Sequence, residues 1–183
     1  MNATRSTRIG AALAAALLTL TLAACASDTP DGLTLAQSKS PVQLLRNEVA
    51  SRVPSALVAD VTNSSDASSA CRTEETDPEG LLRSWKSSVR ITLTPEADLE
   101  IMLSKLLVSF REDGWDEGTY GSATIIEFTR DDSIAEIHIS TKRATDTEAA
   151  QIQVQVAGPC VMTGGAESDE VLALEKAAAA ELQ

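Results

Sequence analysis

The chain has 183 residues and a formal net charge of −12, with 27 acidic against 15 basic side chains and only 3% aromatic residues. A chain this acidic repels nucleic acid and gains nothing electrostatically from anionic lipid headgroups. So few aromatics are also too few for a surface that stacks sugars or bases.

Residues 1–24 differ from the rest. Arg5 and Arg8 precede a nearly unbroken apolar run from Ile9 to Leu22, and Leu22-Ala23-Ala24-Cys25 closes the segment. The order of charge, apolar stretch and small residues is that of a secretory signal peptide, and the run is short beside the ~20 apolar residues of a membrane span. The ending resembles the lipobox of bacterial lipoproteins. That resemblance implies a diacylglyceryl group on the Cys25 thiol, removal of residues 1–24, and a mature chain of 159 residues whose net charge moves from −12 to −14 as Arg5 and Arg8 leave. It implies lipid anchoring at the extracytoplasmic face of the cell membrane, with the acyl chains, palmitate among them, holding the protein there through Cys25; two chains on one residue satisfy the requirement for stable anchoring.

Export also bears on the other cysteines. With Cys25 assigned to lipid, Cys71 and Cys160 are left, and two cysteines in an oxidising compartment are expected to pair; two buried free thiols are the alternative. After Cys25, residues 25–40 mix Ser, Asp, Thr, Pro and Gly without a period and are expected to be a tether with a span of roughly 20 Å. Ser40-Pro41-Val42-Gln43 has the form of a helix start, with Ser40 as cap, Pro41 in the first turn and Gln43 completing a capping box. Val42, Leu45, Val49 and Val53 follow on one helical face up to Pro54. Ala56 to Val61 fits either a continuation of that helix or a short strand. Residues 62–70 are mostly polar with no apolar face and predict a loop, as does the turn-rich stretch 71–80.

From Trp85 the period becomes two. Trp85, Val89, Ile91 and Leu93 alternate with Lys86, Ser88, Arg90 and Thr92, a half-buried strand. Thr94-Pro95-Glu96 is expected to cap a helix over 95–113 with the stripe Leu99, Met102, Leu103, Leu106 and Phe110, stopped by Gly114 with Trp115 folded back on Phe110. Three strands should follow, over 123–130, around Ala135, Ile137 and Ile139, and around Ile152, Val154 and Val156. Gly158-Pro159 ends the last of them just before Cys160. Ser168 can cap a final helix bearing Val171, Leu174, Ala178 and Leu182, which either docks or frays.

Each strand has one apolar and one polar side. This predicts an α+β fold of two layers, helices on one face of a mostly antiparallel sheet, in the order α, then β-α-β-β-β. The α+β domain is expected over 41–162, with a linker and short helix over 163–183. The span from Cys71 to Val161 is similar to small uncharacterised lipoproteins of actinobacteria through Cys71, the Trp85-led strand, Gly114-Trp115 and Pro159-Cys160. The resemblance implies the fold and the disulfide, and no active residue.

Chemistry-bearing candidates are few. His138 is the sole histidine; Ser140 stands beside it on the same strand face, so the two are not aimed at each other as a triad requires. One histidine without a cysteine cluster argues against the usual zinc sites. Asp113, Asp116 and Glu117, and Asp131 with Asp132, lack the spacing of a calcium loop, and Gly114, Gly118 and Gly121 form no phosphate-binding motif. No catalytic, cofactor or metal residues are expected, hence no enzyme and no cofactor. The remaining candidate is the polar sheet face: Arg90, Glu127, His138, Ser140, Gln153 and Gln155. The expectation is an interaction or accessory module with an envelope protein as partner. The alternative is a carrier of an apolar ligand, with a cavity under Leu103, Phe110 and Ile126.

Overall fold

The computed structural model describes residues 32–119 and 125–181. Residues 1–24, Cys25, the expected tether up to residue 31, residues 123–124 at the start of the first expected meander strand, Gly121 and Leu182 lie outside them. Among the described residues no helix is long and apolar enough to cross a membrane.

The fold is mixed α+β, and among the described residues it has three α-helices and a seven-stranded antiparallel sheet. Helix α1, Leu35–Ser51, is capped by Thr34, six residues before the expected cap Ser40. Thr34 and Gln37 form the capping box: the Gln37 amide N–H donates to Thr34 Oγ1 at 3.2 Å, and Thr34 N–H donates to Gln37 Oε1 at 2.9 Å. The Thr34/Gln37 and Ser40/Gln43 pairs have the same spacing, and what favours the earlier one is Leu35, which is fully buried in the core. Pro41 therefore lies inside the helix, where its ring removes one backbone hydrogen bond. It and Gln37, the residue four before it, are both exposed, so water can serve the freed carbonyl. Val42, Val49 and Val53 are buried as their spacing predicts.

A single turn of 3-10 helix, Ser55–Leu57, leads into β1, Val58–Ala70, which replaces the expected loop over 62–70. This strand pairs along β2, Leu82–Leu93, and forms one edge of the sheet. Its polar sequence suits the site because buried polar partners meet it from three elements. Asp66, its side chain only 2% exposed, accepts from Trp85 Nε1 at 2.5 Å and from Gln43 of α1, with Arg46 NH1 4.0 Å away. Arg46 itself donates to Ser87 Oγ at 2.7 Å.

After β2, Thr94 to Ala97 form a turn closed by Ala97 N–H to Thr94 O at 3.1 Å. Helix α2, Leu99–Glu112, starts only then, and its cap is Asp98, not Thr94; the carboxylate accepts from Ile101 N–H at 3.0 Å. The C-terminal end matches expectation. Gly114 takes φ +80°, Gly114 N–H bonds Arg111 O and Trp115 N–H bonds Phe110 O, the paired bonds of a Schellman cap. The Trp115 ring meets Phe110 edge-on at 6.2 Å.

Strands β3 (Asp116–Thr119), β4 (Ile125–Thr129), β5 (Glu136–Lys142), β6 (Gln151–Ala157) and β7 (Val161–Met162) complete the sheet, with β3 and β7 additional to the three strands expected. The order is β1-β2-β6-β5-β4-β3, and β7 pairs with the start of β2. Phe110 of α2 lies 4.5 Å from Phe128 of β4, and Phe128, Ile137 and Val156 are aligned across β4, β5 and β6. All four are fully buried, each worth about 1.5–3 kcal/mol of transfer free energy.

Helix α3, Asp169–Glu181, is docked, with Val171 and Ala178 fully buried. Polar contacts fasten it as well: Glu175 accepts from Ser68 Oγ at 2.6 Å, and Glu181 from Lys39 Nζ at 3.0 Å and Gln43 Nε2 at 3.2 Å. Cys71 and Cys160 form a disulfide with Cα atoms 6.1 Å apart. It joins the end of β1 to the residue before β7.

Candidate functional site

Side chains two apart on a strand share a face, and antiparallel pairing sets each against a neighbour. The register gathers the six polar-face residues into two adjacent rows. Gln155, His138 and Glu127 lie in line across β6, β5 and β4. Arg90, Gln153 and Ser140 form the next row across β2, β6 and β5. Arg90 is exposed and the other five are half-buried.

This face is concave. A groove of about 840 Å³ runs over it, its floor including His138, Ser140, Gln153 and Gln155. One wall is the turn over 130–134, and another is the Cys71–Cys160 disulfide with Pro159. The turn is braced by Arg130, which bonds Asp132 Oδ1 at 2.5 Å and lies over the Trp115 ring at 4.6 Å. The disulfide keeps the other wall in place, so the groove is bounded on two sides by covalent or multiply bonded structure.

Beside the groove the pairing achieves what sequence distance conceals. Glu127 faces His138 across the β4–β5 ladder, and Glu136 precedes His138 by two residues. One ligand-type atom from each of Glu127, Glu136 and His138 lies within 4.8 Å of the other two. His138 Nε2 is 3.7 Å from Glu136 Oε2, and the His138 side chain is 14% exposed. Histidine and cysteine counts alone do not register this group, because two of its members are carboxylates. The Glu136–His138 half of the cluster was visible as an i, i+2 pair, whereas Glu127 joins only through the register.

Other candidates resolve differently. Asp113 forms an ion pair with Arg52 at 2.6 Å and Glu117 with Arg111, so these acids already have counter-ions. Where the carrier alternative expects a cavity, Phe110 and Phe128 are in contact and fully buried. An apolar cleft of about 510 Å³ lies elsewhere, lined by Val53, Pro54, Leu57, Ile101, Met102 and Leu106 and rimmed by Arg52, Glu96, Asp98 and Lys105.

Among the titratable groups, Asp77 is held below its ordinary value of 3.8, chiefly by the backbone N–H groups of Leu82 and Leu81, with Arg72 nearby. Glu181 is likewise lowered from 4.5 by its hydrogen bonds from Lys39 and Gln43. Both are structural: Asp77 closes the loop before β2, and Glu181 joins α3 to α1.

Comparison of the chain with protein-family models, with curated proteins and with solved structures finds no match.

Proposed function

We propose that this protein is a lipid-anchored module of the bacterial cell envelope, non-catalytic, that holds a partner protein against the polar face of its sheet. The anchor reading rests on the likeness of Leu22-Ala23-Ala24-Cys25 to a lipobox. The observation that carries the binding reading is the 840 Å³ groove over a face of half-buried polar side chains, walled by the disulfide and the Arg130 turn. Such a surface offers amide, hydroxyl and carboxylate groups to the polar backbone and side chains of another protein. The reading includes a two-layer arrangement with the helices on the opposite, apolar side; what supports it is that Ser87, Val156, Ile137 and Phe128 form one row, contacted by Arg46 of α1 at one end and Phe110 of α2 at the other.

Two measurements test it. Metabolic lipid labelling should mark the wild type and vanish in Cys25→Ser, with unprocessed precursor accumulating; persistent labelling in that variant overturns the anchor. A photo-crosslinking residue at Gln155, on intact cells, should trap a discrete partner that the same residue at Leu172, on the exposed side of α3, does not. Equal trapping at both positions overturns the binding face. The apolar cleft beside α2 supports a second reading, a binder of an apolar small ligand. Saturable uptake of a fluorescent fatty acid, lost on Met102→Glu, would favour it.

A further inference from the structure

We propose that Glu127, Glu136 and His138 form a binding site for a divalent transition ion, zinc foremost, where Glu136 and His138 line the groove and Glu127 stands opposite His138 on β4. The inference stands on these three side chains and depends neither on the lipid anchor nor on a protein partner.

The argument begins with geometry. Three atoms no more than 4.8 Å apart leave a point within about 2.8 Å of all three, and zinc binds nitrogen and oxygen at about 2.0–2.2 Å. Closure therefore needs less than about an ångström from each side chain, within reach of a rotamer adjustment. The backbone need not move, because β4 and β5 already hold Glu127 opposite His138 and place Glu136 on the same side.

Charge points the same way. Elsewhere the fold supplies acids with basic partners, as in Arg143–Glu100, Lys142–Glu148, Arg111–Glu117 and Arg130–Asp132. Among the described residues, neither Glu127 nor Glu136 has a lysine or arginine within ion-pair distance. Two carboxylates gathered at one point with no lysine or arginine beside them repel each other, and a divalent cation between them removes that repulsion. The imidazole selects the kind of cation. Carboxylates alone suit magnesium, calcium and manganese, whereas an imidazole in the set suits zinc and its transition-metal neighbours such as iron and nickel. Three protein ligands on one side leave the positions facing the groove open to water or to an acidic group of a bound molecule.

The test uses tag-free full-length protein in mild detergent, stripped with EDTA and dialysed, because His138 is then the only imidazole present. Calorimetric titration with ZnCl₂ should give one ion per chain. The affinity should fall at least tenfold in His138→Ala and in Glu127→Gln, and stay unchanged in an Asp131→Asn, Asp132→Asn control on the neighbouring turn. MgCl₂ should bind at least tenfold more weakly than ZnCl₂. The ring-nitrogen NMR signals of the wild type, which need no variant to fold, should shift on zinc addition. No saturable binding up to millimolar zinc, one equivalent bound undiminished in His138→Ala, or unmoved ring signals would each overturn the site.

Discussion

The two ends of the sheet are held by opposite means. At the β4–β5 end, α2 lies on an apolar row, where Phe110, Phe128 and Ile137 are fully buried and the one guanidinium over Phe110 among the described residues, that of Arg52, comes from α1's end. At the β1–β2 end, α1 and α3 meet the sheet partly through carboxylates, amides, hydroxyls and guanidinium groups, centred on a buried Asp66. An apolar contact tolerates imperfect geometry because it is non-directional. A buried polar network does not, since each unpaired group costs its full desolvation. The polar end should therefore be the more specific of the two and the more brittle under single substitutions.

The largest effect should come from the covalent clamp at the polar end. Replacing Cys71 and Cys160 by serine releases a loop with a sequence separation of 89, for which chain entropy sets an upper value of about 4–5 kcal/mol. Chemical denaturation of the double variant measures it, and mass analysis of the alkylated, unreduced wild type should find no modified thiol at either position. Next, Asp66→Ala should cost about 3–5 kcal/mol, because it takes the acceptor from the buried Trp85 indole N–H and the Gln43 amide and the counter-charge from the buried Arg46 guanidinium. A loss below about 1 kcal/mol would mean that the network is not a determinant of stability.

The apolar end should respond by position more than by chemistry. Leu106→Ala should cost about 2–5 kcal/mol, whereas Lys105→Ala, on the exposed side of α2, should stay within about 0.5 kcal/mol. Equal losses at these neighbours would contradict the buried face assigned to α2.

What the sequence revealed follows the same division. Strands β5 and β6 and helix α2 were legible because Ile137, Ile139, Ile152 and Val154, or Met102, Leu106 and Phe110, mark one side at a clean period. The Gly114-Trp115 cap was legible because its bonds are local. Strand β1 was not, since its inward Asp66 and Ser68 are satisfied by Trp85, Gln43, Arg83 and Glu175, residues distant in the chain. The start of α1 was misplaced because Pro41 fits a first turn, and only the burial of Leu35 extends the helix past it. The polar face was legible as six residues, but the meeting of Glu127 with His138 needed the register.

The smallest effect concerns Asp77, whose carboxylate accepts from Leu81 and Leu82 N–H at 3.0 and 2.8 Å. Its folded value lies below the ordinary 3.8, so the ionised form is the one folding favours. That contribution is complete well above pH 3.8 and is lost as the pH falls through the lowered folded value. Asp77→Asn should thus lower the denaturation midpoint slightly at pH 7, with the difference shrinking below pH 4. A difference that is constant with pH would assign the effect to shape and not to charge.

The edges of the sheet carry one more consequence. β1 shifts register twice along its length, between Val58 and Asp60 and between Asn63 and Ser65, and β3 at the far side is four residues long and opens with Asp116 and Glu117. An approaching strand meets an interrupted ladder on one side and a short, negatively charged one on the other. Such interruptions and charges discourage edge-to-edge growth. Crowding of the folded chain is thereby steered away from sheet-to-sheet joining and toward contacts between faces.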